Sequence, residues 1–575
     1  MSIGRRALPV LLLLLAGTAS ADQLEVQIVG LEGEMAGNVR ATMRMVALSA
    51  SADLEPLLIQ RMHSRSPDEI RSALQPFGYY RPEIEATLTH ADGDRWIARY
   101  VITPGTPVLL RTIDIALQGP GAEDPELLAL VAAPGLASGE QLDHRDYDDL
   151  KYRLRGAAAT RGYVQAAFIS AALEVDPSLS VADVRLALDT GARHSFGEIV
   201  VRQDALDPEF VMRYVPIEEG EPYDTSRLID IQYSLYDSEY FGYVEITPGT
   251  PVDGVVPVTI EAEARAKHRF TAGIGYGSNT RARLSAGWQN RRVNRHGHRF
   301  ALSGQLSGVR SSATARYLIP LADPIRERLT LSTAYTDETL ADVDSQSASV
   351  GISVVRHLGP WERDAYLRFQ RERTTQNAVV DLATLVLPGM SFGRSASDDP
   401  VHPRHGYSFL TDLRLSPRAL GSDVDFVHIT TSVHLIRPAG EQGRWLLRGE
   451  LGAAVVAATA DLPASQRFYA GGDTSVRGYG FRSIGPVDTS GDLIGGRYLM
   501  TASIEYERGF RPNWAFATFL DLGDAFDGAD FGIEAGVGIG LRWRSPVGTL
   551  RVDIAQSVTD QSLSPRLHLS IGSDL

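Results

Sequence analysis

The chain has 575 residues, and its 56 Lys plus Arg against 71 Asp plus Glu give a net charge of −15. This length predicts several domains, and the acidic balance argues against a nucleic-acid-binding protein, which would present a basic surface. The chain contains no cysteine, which excludes disulfides, thiolate metal sites, a cysteine nucleophile and an acylated lipoprotein anchor.

Residues 1–21 predict a signal peptide. Arg5 and Arg6 precede an apolar stretch from Ala7 to Ala16, and Ala19-Ser20-Ala21 forms an A-x-A cleavage site. The apolar stretch is too short for a typical membrane-spanning helix. We therefore expect cleavage before Asp22 and export to a bacterial cell envelope, with an uncleaved anchor as the alternative. Because no later apolar run is long enough to be a spanning helix, any membrane crossing must use strands.

Residues 22–265 predict a threefold repeat. Glycine-aromatic turns recur at Gly78, Gly162 and Gly242, at intervals of about 80 residues. A helical segment precedes each turn, and two strand-like runs follow it. The pattern predicts β-α-α-β-β units over 22–104, 105–190 and 191–265. Unrelated tandem α+β domains are the alternative, which the recurring turn disfavours.

Each of these units has a recognisable start for its second helix. Ser66-Pro67-Asp68-Glu69 has the pattern of a capping box with proline at the first helical position. Asp143 and Thr225 are the corresponding predicted caps in the next two units. Together with the apolar spacing that follows, these residues predict one amphipathic helix before each turn.

Residues 266–575 alternate between apolar and polar with a period of two. A soluble sandwich and a membrane barrel share this alternation. The predicted export, the arginines on the polar face and the aromatic residues at the ends of apolar rows favour a barrel. At roughly 19 residues for a strand and its share of turns, this half predicts an all-β transmembrane barrel of about 16 antiparallel strands.

Four ordered motifs in this half resemble those of the outer-membrane assembly-factor superfamily, whose periplasmic repeats are called POTRA domains. The first is Val476-Arg477-Gly478-Tyr479, introduced by the Phe-Tyr-Ala-Gly-Gly run at 468–472, and the second is Phe519-Leu520-Asp521. Residues 398–407 resemble the mid-barrel turn of the family, and residues 538–548 resemble its penultimate hairpin. The resemblance covers essentially the whole mature chain.

Within this superfamily, the chain resembles the TamA type, because it has room for three POTRA domains. BamA has five, and two-partner secretion translocators have two. The resemblance implies an outer-membrane protein of a Gram-negative bacterium that helps barrel clients, autotransporters among them, to insert into the lipid bilayer. It also implies a TamB-like partner, anchored in the inner membrane, that contacts the POTRA domains. A two-partner secretion pore that exports an unfolded exoprotein is the alternative.

The resemblance implies a first functional region in the barrel lumen. In the family, the loop that bears the Arg-Gly motif folds back into the lumen, where Arg477 would meet Asp521. A carboxylate offers a buried guanidinium a bidentate partner, and glycine permits a turn that a Cβ would block. We call the residues of this region the loop lock: Val476, Arg477, Gly478, Tyr479, Phe519 and Asp521. A solvent-exposed loop arginine is the alternative.

The second region is the seam between the first and last barrel strands. Its predicted residues are Phe270, Ala272, Ile274, Tyr276, Leu567, Leu569 and Ile571. The glycines at 273, 275, 277 and 572 increase the conformational entropy lost when these strands become ordered, and they supply no cross-strand side-chain contact. We therefore expect the seam to be the weakest ladder and to open for clients, unless these glycines only make room for the inserted loop.

Enzyme motifs are absent from the sequence: it has no phosphate-binding loop, His-Glu-x-x-His zinc site or Gly-x-Ser-x-Gly elbow. His144-Arg145-Asp146 imitates a kinase triplet but fits a helix start better. His296 and His298 fit a strand-connecting turn better than a metal or phosphate site. We expect no catalytic residue, no cofactor and no metal.

Overall fold

The computed structural model describes residues 24–49, 54–91, 95–279, 281–340, 342–376, 378–528, 531–546, 548–560 and 564–572. The predicted signal peptide lies outside these residues. Among the helices of the described ranges, none combines the length and the apolar character needed to cross a membrane.

The chain divides into two compact units. The described residues of the first unit fall within Met1–Ile199, Ile217–Leu228 and Pro248–Val258. Those of the second fall within Val200–Pro216, Ile229–Thr247 and Thr259–Leu575.

The first α+β repeat has a three-stranded sheet with helices on one face. Its elements are β1 (Leu24–Val29), α1 (Gly33–Thr42), α2 (Arg44–Leu48), α3 (Pro56–Leu74), β2 (Glu83–His90) and β3 (Trp96–Thr103). The strand order is β1-β3-β2, with β3 parallel to β1 and antiparallel to β2. Ile59, Ile70 and Leu74 of α3 are buried in one core with Tyr100 of β3, so the apolar stripe of the helix faces the sheet.

The capping box predicted at Ser66 is wrong. Helix α3 begins at Pro56, and Pro67 lies inside it. Ser66 is buried, and its hydroxyl donates to the carbonyl of Met62 one turn earlier at 2.9 Å. The apolar stripe continues unbroken through this point, because burial of Met62 and Ile70 on either side outweighs the one backbone hydrogen bond that proline cannot make.

The second and third repeats follow the same strand order. The second contains β4 (Leu109–Gln118), α4 (Pro125–Ala132), α5 (His144–Thr160), β5 (Ala167–Asp176) and β6 (Val181–Asp189). The third contains β7 (Ser195–Arg202), α6 (Pro208–Met212), α7 (Thr225–Asp237), β8 (Phe241–Pro248) and β9 (Val255–Ala264). The sheets run β4-β6-β5 and β7-β9-β8, so the last strand of each repeat is central.

The predicted helix cap at Asp143 is confirmed, and the one predicted at Thr225 is wrong. Asp143 caps α5, accepting the backbone N–H of Arg145 at 2.8 Å. At α7 the cap is Asp224, which accepts the N–H of Ser226 at 2.9 Å, and Thr225 is the first helical residue. A carboxylate immediately before the helix accepts this hydrogen bond and also complements the positive end of the helix dipole.

The recurring glycines form equivalent junctions in the first two repeats only. Gly78 and Gly162 have φ of 81° and 92°, and their carbonyls accept from the N–H groups of Val108 (2.8 Å) and His194 (2.9 Å). A Cβ at Gly78 would lie 2.5 Å from the carbonyl oxygen of Leu142. The third glycine, Gly242, lies within strand β8, so the prediction of a third similar turn is wrong.

Gly78→Ala is expected to loosen the junction, because the new Cβ both requires a left-handed backbone and strikes backbone that cannot move aside. The strain at this conformation alone is about 1–3 kcal/mol, and the clash adds to it. We expect faster amide exchange at residues 105–110. Gly139→Ala is the matched control, since Gly139 has φ of 90° but a methyl group added there would meet no atom within 4 Å. Equal effects of the two changes would contradict the close-approach argument.

An ion pair joins the outer strand β4 to the central strand β6 of the second repeat. Arg111 donates to both carboxylate oxygens of Asp183, from Nε at 3.0 Å and from Nη2, and the Thr112 hydroxyl also donates to it. These hydrogen bonds hold the pKa of Asp183 below its usual range. A carboxyl with a lowered folded pKa contributes stability that is present above its unfolded pKa of about 3.9 and is lost as the pH falls below it.

We therefore expect Asp183→Asn to reduce the loss of stability that this repeat shows as the pH falls. The measurement is the urea concentration at which β4 and β6 peptides lose exchange protection, at pH 6 and at pH 3. The parent chain should lose more protection than the variant between these two pH values. An identical loss in both chains would contradict the argument.

The C-terminal half forms one 16-stranded antiparallel sheet, which confirms the predicted barrel. Its strands are β10 (His268–Gly277), β11 (Arg281–Asn290), β12 (Arg299–Ser307), β13 (Arg310–Pro320), β14 (Glu327–Leu340), β15 (Val343–Leu358), β16 (Trp361–Gln376), β17 (Val379–Ser397), β18 (Gly406–Ser416), β19 (Phe426–Ala439), β20 (Gly443–Val456), β21 (Tyr498–Arg511), β22 (Trp514–Phe526), β23 (Glu534–Ser545), β24 (Gly548–Ser557) and β25 (Arg566–Gly572). They are hydrogen-bonded in chain order from β10 to β25.

The alternation of the sequence separates two faces of this sheet. On β22, Leu520 is 38% exposed on the outer face, whereas its neighbour Asp521 is fully buried on the inner face. Phe270, Ile274 and Tyr276 of β10 are likewise exposed on the outer face. The apolar outer face suits lipid, and the charged inner face suits a lumen.

Candidate functional site

The loop between β20 and β21, residues 457–497, packs against the inner face of the sheet. Its apolar residues Phe468, Ala470, Val476, Tyr479 and Ile484 share one buried cluster with strand residues. The strand residues of that cluster are Leu385, Leu387, Phe426, Ala454, Leu499 and Ala525. This apolar packing holds the segment that carries the Val-Arg-Gly-Tyr motif inside the barrel half of the chain.

Arg477 is the most heavily paired residue of this loop, with only 2% of its surface exposed. Its Nε and Nη2 donate to the two oxygens of Asp521 at 2.7 and 3.0 Å, which is the bidentate contact that the family resemblance implies. Its Nη1 also donates to Glu505 (2.7 Å) and to Asp553 (3.1 Å). The guanidinium carbon lies 3.3 Å from the centre of the Phe519 ring, so cation–π attraction adds to the ion pairs.

Two glycines allow the loop to approach the strands this closely. Gly478 has φ of 98°, and a Cβ there would lie 2.8 Å from the backbone nitrogen of Ser557. On β23, a Cβ at Gly536 would lie 1.8 Å from the carbonyl oxygen of Arg477. Any larger residue at Gly536 would displace the backbone that positions Arg477.

Two further buried arginines extend the charge network beyond the loop. Arg542 of β23 donates to Glu505 (2.6 Å), Glu507 (3.2 Å) and Asp553 (2.5 Å). Arg444 of β20 donates to Glu507 at 2.7 Å. We call the whole set the lumen arginine network: Arg444, Arg477, Arg542, Glu505, Glu507, Asp521 and Asp553.

Of this network, the family resemblance implies only Arg477 and Asp521. The other residues of the network could have been found from charged residues at alternate positions of apolar strands, such as Glu505 and Glu507 on β21. Such charges must face a lumen and find partners there. Which partners they find depends on the strand register, which no single strand encodes.

Val476 and Tyr479 of the loop lock each contact their own set of neighbours. Val476 is fully buried in the apolar cluster. The Tyr479 hydroxyl lies 2.6 Å from both Ser557 and Thr559 and also donates to Glu534. All six predicted residues therefore lie within one connected region of loop and strands.

The two turns that carried the family resemblance lie together. In the turn at 398–405, the Nε2 of His402 lies 2.8 Å from the carbonyl oxygen of Ser545, which ends β23. Arg444 donates to the carbonyl of Pro403 in the same turn at 2.5 Å. The mid-barrel turn is thereby linked to the penultimate hairpin and to the lumen arginine network.

The predicted seam strands β10 and β25 lie at the two edges of the sheet. Within residues 268–279 and 564–572, no ladder pairs these edges, and the hydrogen bonds between them all involve Ser278, just beyond β10. Its N–H donates to the carbonyl of Leu569 at 3.1 Å, and its hydroxyl accepts the N–H of Leu569 at 3.0 Å.

The predicted seam residues line the outer face of these edges, where Phe270, Ala272, Ile274, Tyr276, Leu567 and Ile571 are exposed and Leu569 is half-buried. The glycines of β10 make room for side chains of β11. A Cβ at Gly273 would lie 2.7 Å from the Ser285 hydroxyl, and one at Gly275 would lie 3.4 Å from the Arg283 guanidinium.

These features define a class of protein. A 16-stranded antiparallel sheet with an apolar outer face and a charged inner face, preceded by α+β repeats, is the organisation of an outer-membrane β-barrel with periplasmic domains. Residues 292–574 match the Omp85 superfamily domain, and residues 25–104 match the POTRA domain TamA domain 1. The barrel half therefore carries an Omp85 superfamily domain and the first repeat is a TamA-type POTRA domain. The protein is an outer-membrane β-barrel whose POTRA domains lie in the periplasm.

Among curated proteins, the chain is 26% identical over 367 residues to the outer membrane protein assembly factor BamA of Nitratidesulfovibrio vulgaris. That match covers 59% of this chain and 46% of the relative, so the chain spans about half the length of the relative.

Among solved structures, the chain resembles BamA from Haemophilus ducreyi lacking POTRA domains 1–3, with a TM-score of 0.66 and 18% identity. That similarity covers 81% of this chain and 99% of the other, and it shows a shared fold. CdiB from Acinetobacter baumannii has a TM-score of 0.46 and 14% identity, over 81% and 90% of the two chains.

Proposed function

We propose that this protein is an assembly factor that promotes the insertion and folding of β-barrel proteins in the outer membrane, including the barrels of autotransporters. More specifically, we propose that it acts as the TamA-like subunit of a translocation and assembly module. The observation that carries the proposal is the seam, where edges β10 and β25 meet through Ser278 instead of through a ladder of the described residues.

The edges β10 and β25, which no ladder pairs within the described residues, supply the chemistry that such a task requires. Each edge strand presents N–H and C=O groups that an incoming strand can pair with, whatever the sequence of that strand. In lipid these backbone groups must be satisfied, so pairing with a client strand lowers the free energy of both chains. The work is done by hydrogen bonding and burial in lipid, without nucleotide hydrolysis.

The POTRA sheets offer further edges of the same kind. In each repeat the final strand is central, which leaves β2, β5 and β8 at one edge of their sheets. We propose that these edges hold unfolded clients by strand addition and that the POTRA domains contact a TamB-like partner anchored in the inner membrane.

Envelope proteomics of a deletion strain tests the proposed function. A defined subset of outer-membrane barrels, autotransporters among them, is expected to fall in abundance and to recover when the intact chain is restored. Unchanged barrel levels together with the loss of a single secreted exoprotein would replace this proposal with a secretion pore.

One observation favours that second candidate, a two-partner secretion pore for an unfolded exoprotein. A cavity of about 870 Å³ lies along the inner face of strands β13 to β16, lined by polar residues such as Ser332, Thr336, Ser349 and Gln370. Single-channel conductance after deletion of residues 468–482 separates the two functions. A secretion pore should pass exoprotein once the loop is displaced, whereas an assembly factor should gain only ion leakage.

A further inference from the structure

One carboxylate of the loop touches both edges of the seam. Both oxygens of Asp473 lie 2.9 Å from the hydroxyl of Ser278, which follows β10, and one of them lies 2.5 Å from Nδ1 of His568 on β25. Asp473 belongs to the loop segment that leads into the Val-Arg-Gly-Tyr motif. The loop therefore reaches the first and last strands at the same point.

The contacts of His568 fix which of its nitrogens carries the proton. The backbone N–H of Gly478 donates to Nε2 at 3.1 Å, so Nε2 is an acceptor. Nδ1 must then carry the proton and donate to Asp473. His568 is held by the loop from both sides, and with only 5% of its surface exposed it has no room to turn away.

Ser278 is the matching contact on the other edge. Its hydroxyl donates to Asp473 and accepts the N–H of Leu569, while its own N–H donates to the carbonyl of Leu569. The side-chain amide oxygen of Asn279 also accepts the backbone N–H of Asp473. Asp473 thus orients Ser278. Within the described residues, the two edges are hydrogen-bonded to each other through Ser278 alone.

We propose that Ser278, Asp473 and His568 form a seam clasp, which couples the position of the loop to the opening of the barrel. This inference rests on the proposed function, and it names the contacts that would regulate opening of the seam. Asp473 stands four residues before Arg477, which the lumen arginine network holds in place. While Arg477 is seated, the clasp keeps the edges together; when the loop moves, both edges lose their shared partner at once.

The test is a distance measurement across the seam in lipid nanodiscs. Spin labels are attached to Tyr276→Cys and Ile571→Cys, and the fraction of molecules with separated edges is measured in the parent and in Asp473→Ala. Loss of a charge-assisted hydrogen bond predicts an increase in the ratio of open to closed molecules on the order of tenfold. Asp488→Ala is the matched control, because the Asp488 carboxylate accepts from the N–H groups of Ser490 and Asp492 within its own turn of the same loop.

An unchanged distance distribution in a folded Asp473→Ala protein would overturn the clasp. If that variant does not fold, Ser278→Ala and His568→Phe each remove one arm and should each raise the open fraction, and no rise in either would also overturn it. The measurement needs no client. A clasp that opens as expected in a protein that inserts no client would therefore refute the proposed function and leave the clasp standing.

Discussion

Replacing Arg477 with alanine is expected to release the loop from the lumen and to abolish most of the protein's activity. The change leaves Asp521, Glu505 and Asp553 without the cation that they share. Breaking a buried ion pair while the opposite charge remains buried costs about 3–5 kcal/mol. Limited proteolysis in vesicles should then cut the chain within residues 468–482, where the parent resists cleavage.

The matched control is Arg482→Ala in the same loop. Arg482 lies 3.5 Å from Glu338 and its side chain is about a quarter exposed, so its removal is expected to cost no more than about 1 kcal/mol. Protease resistance should be retained in this control. Equal resistance of Arg477→Ala and the parent would remove the locking role from Arg477.

Exchanging the two charges, as Arg477→Asp with Asp521→Arg, would restore the lock if these residues formed an isolated pair. The structure argues for the opposite result. An aspartate at 477 would face Glu505 and Asp553, each about 3 Å from the present Arg477 nitrogen. We therefore expect the double variant to be as protease-sensitive as Arg477→Ala.

Closing the seam covalently is expected to stop client insertion. The chain has no native cysteine, so a disulfide between Tyr276→Cys and Ile571→Cys can be formed without interference. Both positions lie on the outer face, two residues along each strand from the Ser278–Leu569 contact. Oxidation should block insertion of a client barrel, and reduction should restore it, because a bonded seam offers no free edge.

The control disulfide joins Leu284→Cys to Leu306→Cys, which are register partners on β11 and β12. These strands are already paired, so oxidation there should leave insertion unchanged. Full insertion activity with the 276–571 disulfide formed would rule out opening of the seam and would leave membrane thinning or templating by the POTRA domains as the mechanism.

The architecture could be predicted from the sequence because it rests on periodicity. Alternation in rows such as Phe270, Ala272, Ile274 and Tyr276 depends only on which face meets lipid, and that is a local property of each strand. The apolar spacing of Leu150 and Leu154 similarly places both in the core of the second repeat, where they are fully buried.

Local rules failed where tertiary packing overrode them. Ser66 and Pro67 satisfy the pattern of a helix start, yet the longer apolar stripe of α3 runs through them. Most of the lumen arginine network was beyond prediction for a different reason. Arg444, Glu505, Arg542 and Asp553 come from four strands, and their contacts exist only once the register of these strands is fixed.

Opening of the seam as the means of client insertion is tested by the folding rate of an unfolded client barrel, added to lipid vesicles that contain this protein and no nucleotide. We expect faster folding than in empty vesicles, with the acceleration lost when the 276–571 disulfide is oxidised and regained on reduction. Folding at the rate of empty vesicles, with the seam reduced and the protein correctly inserted, would contradict this mechanism.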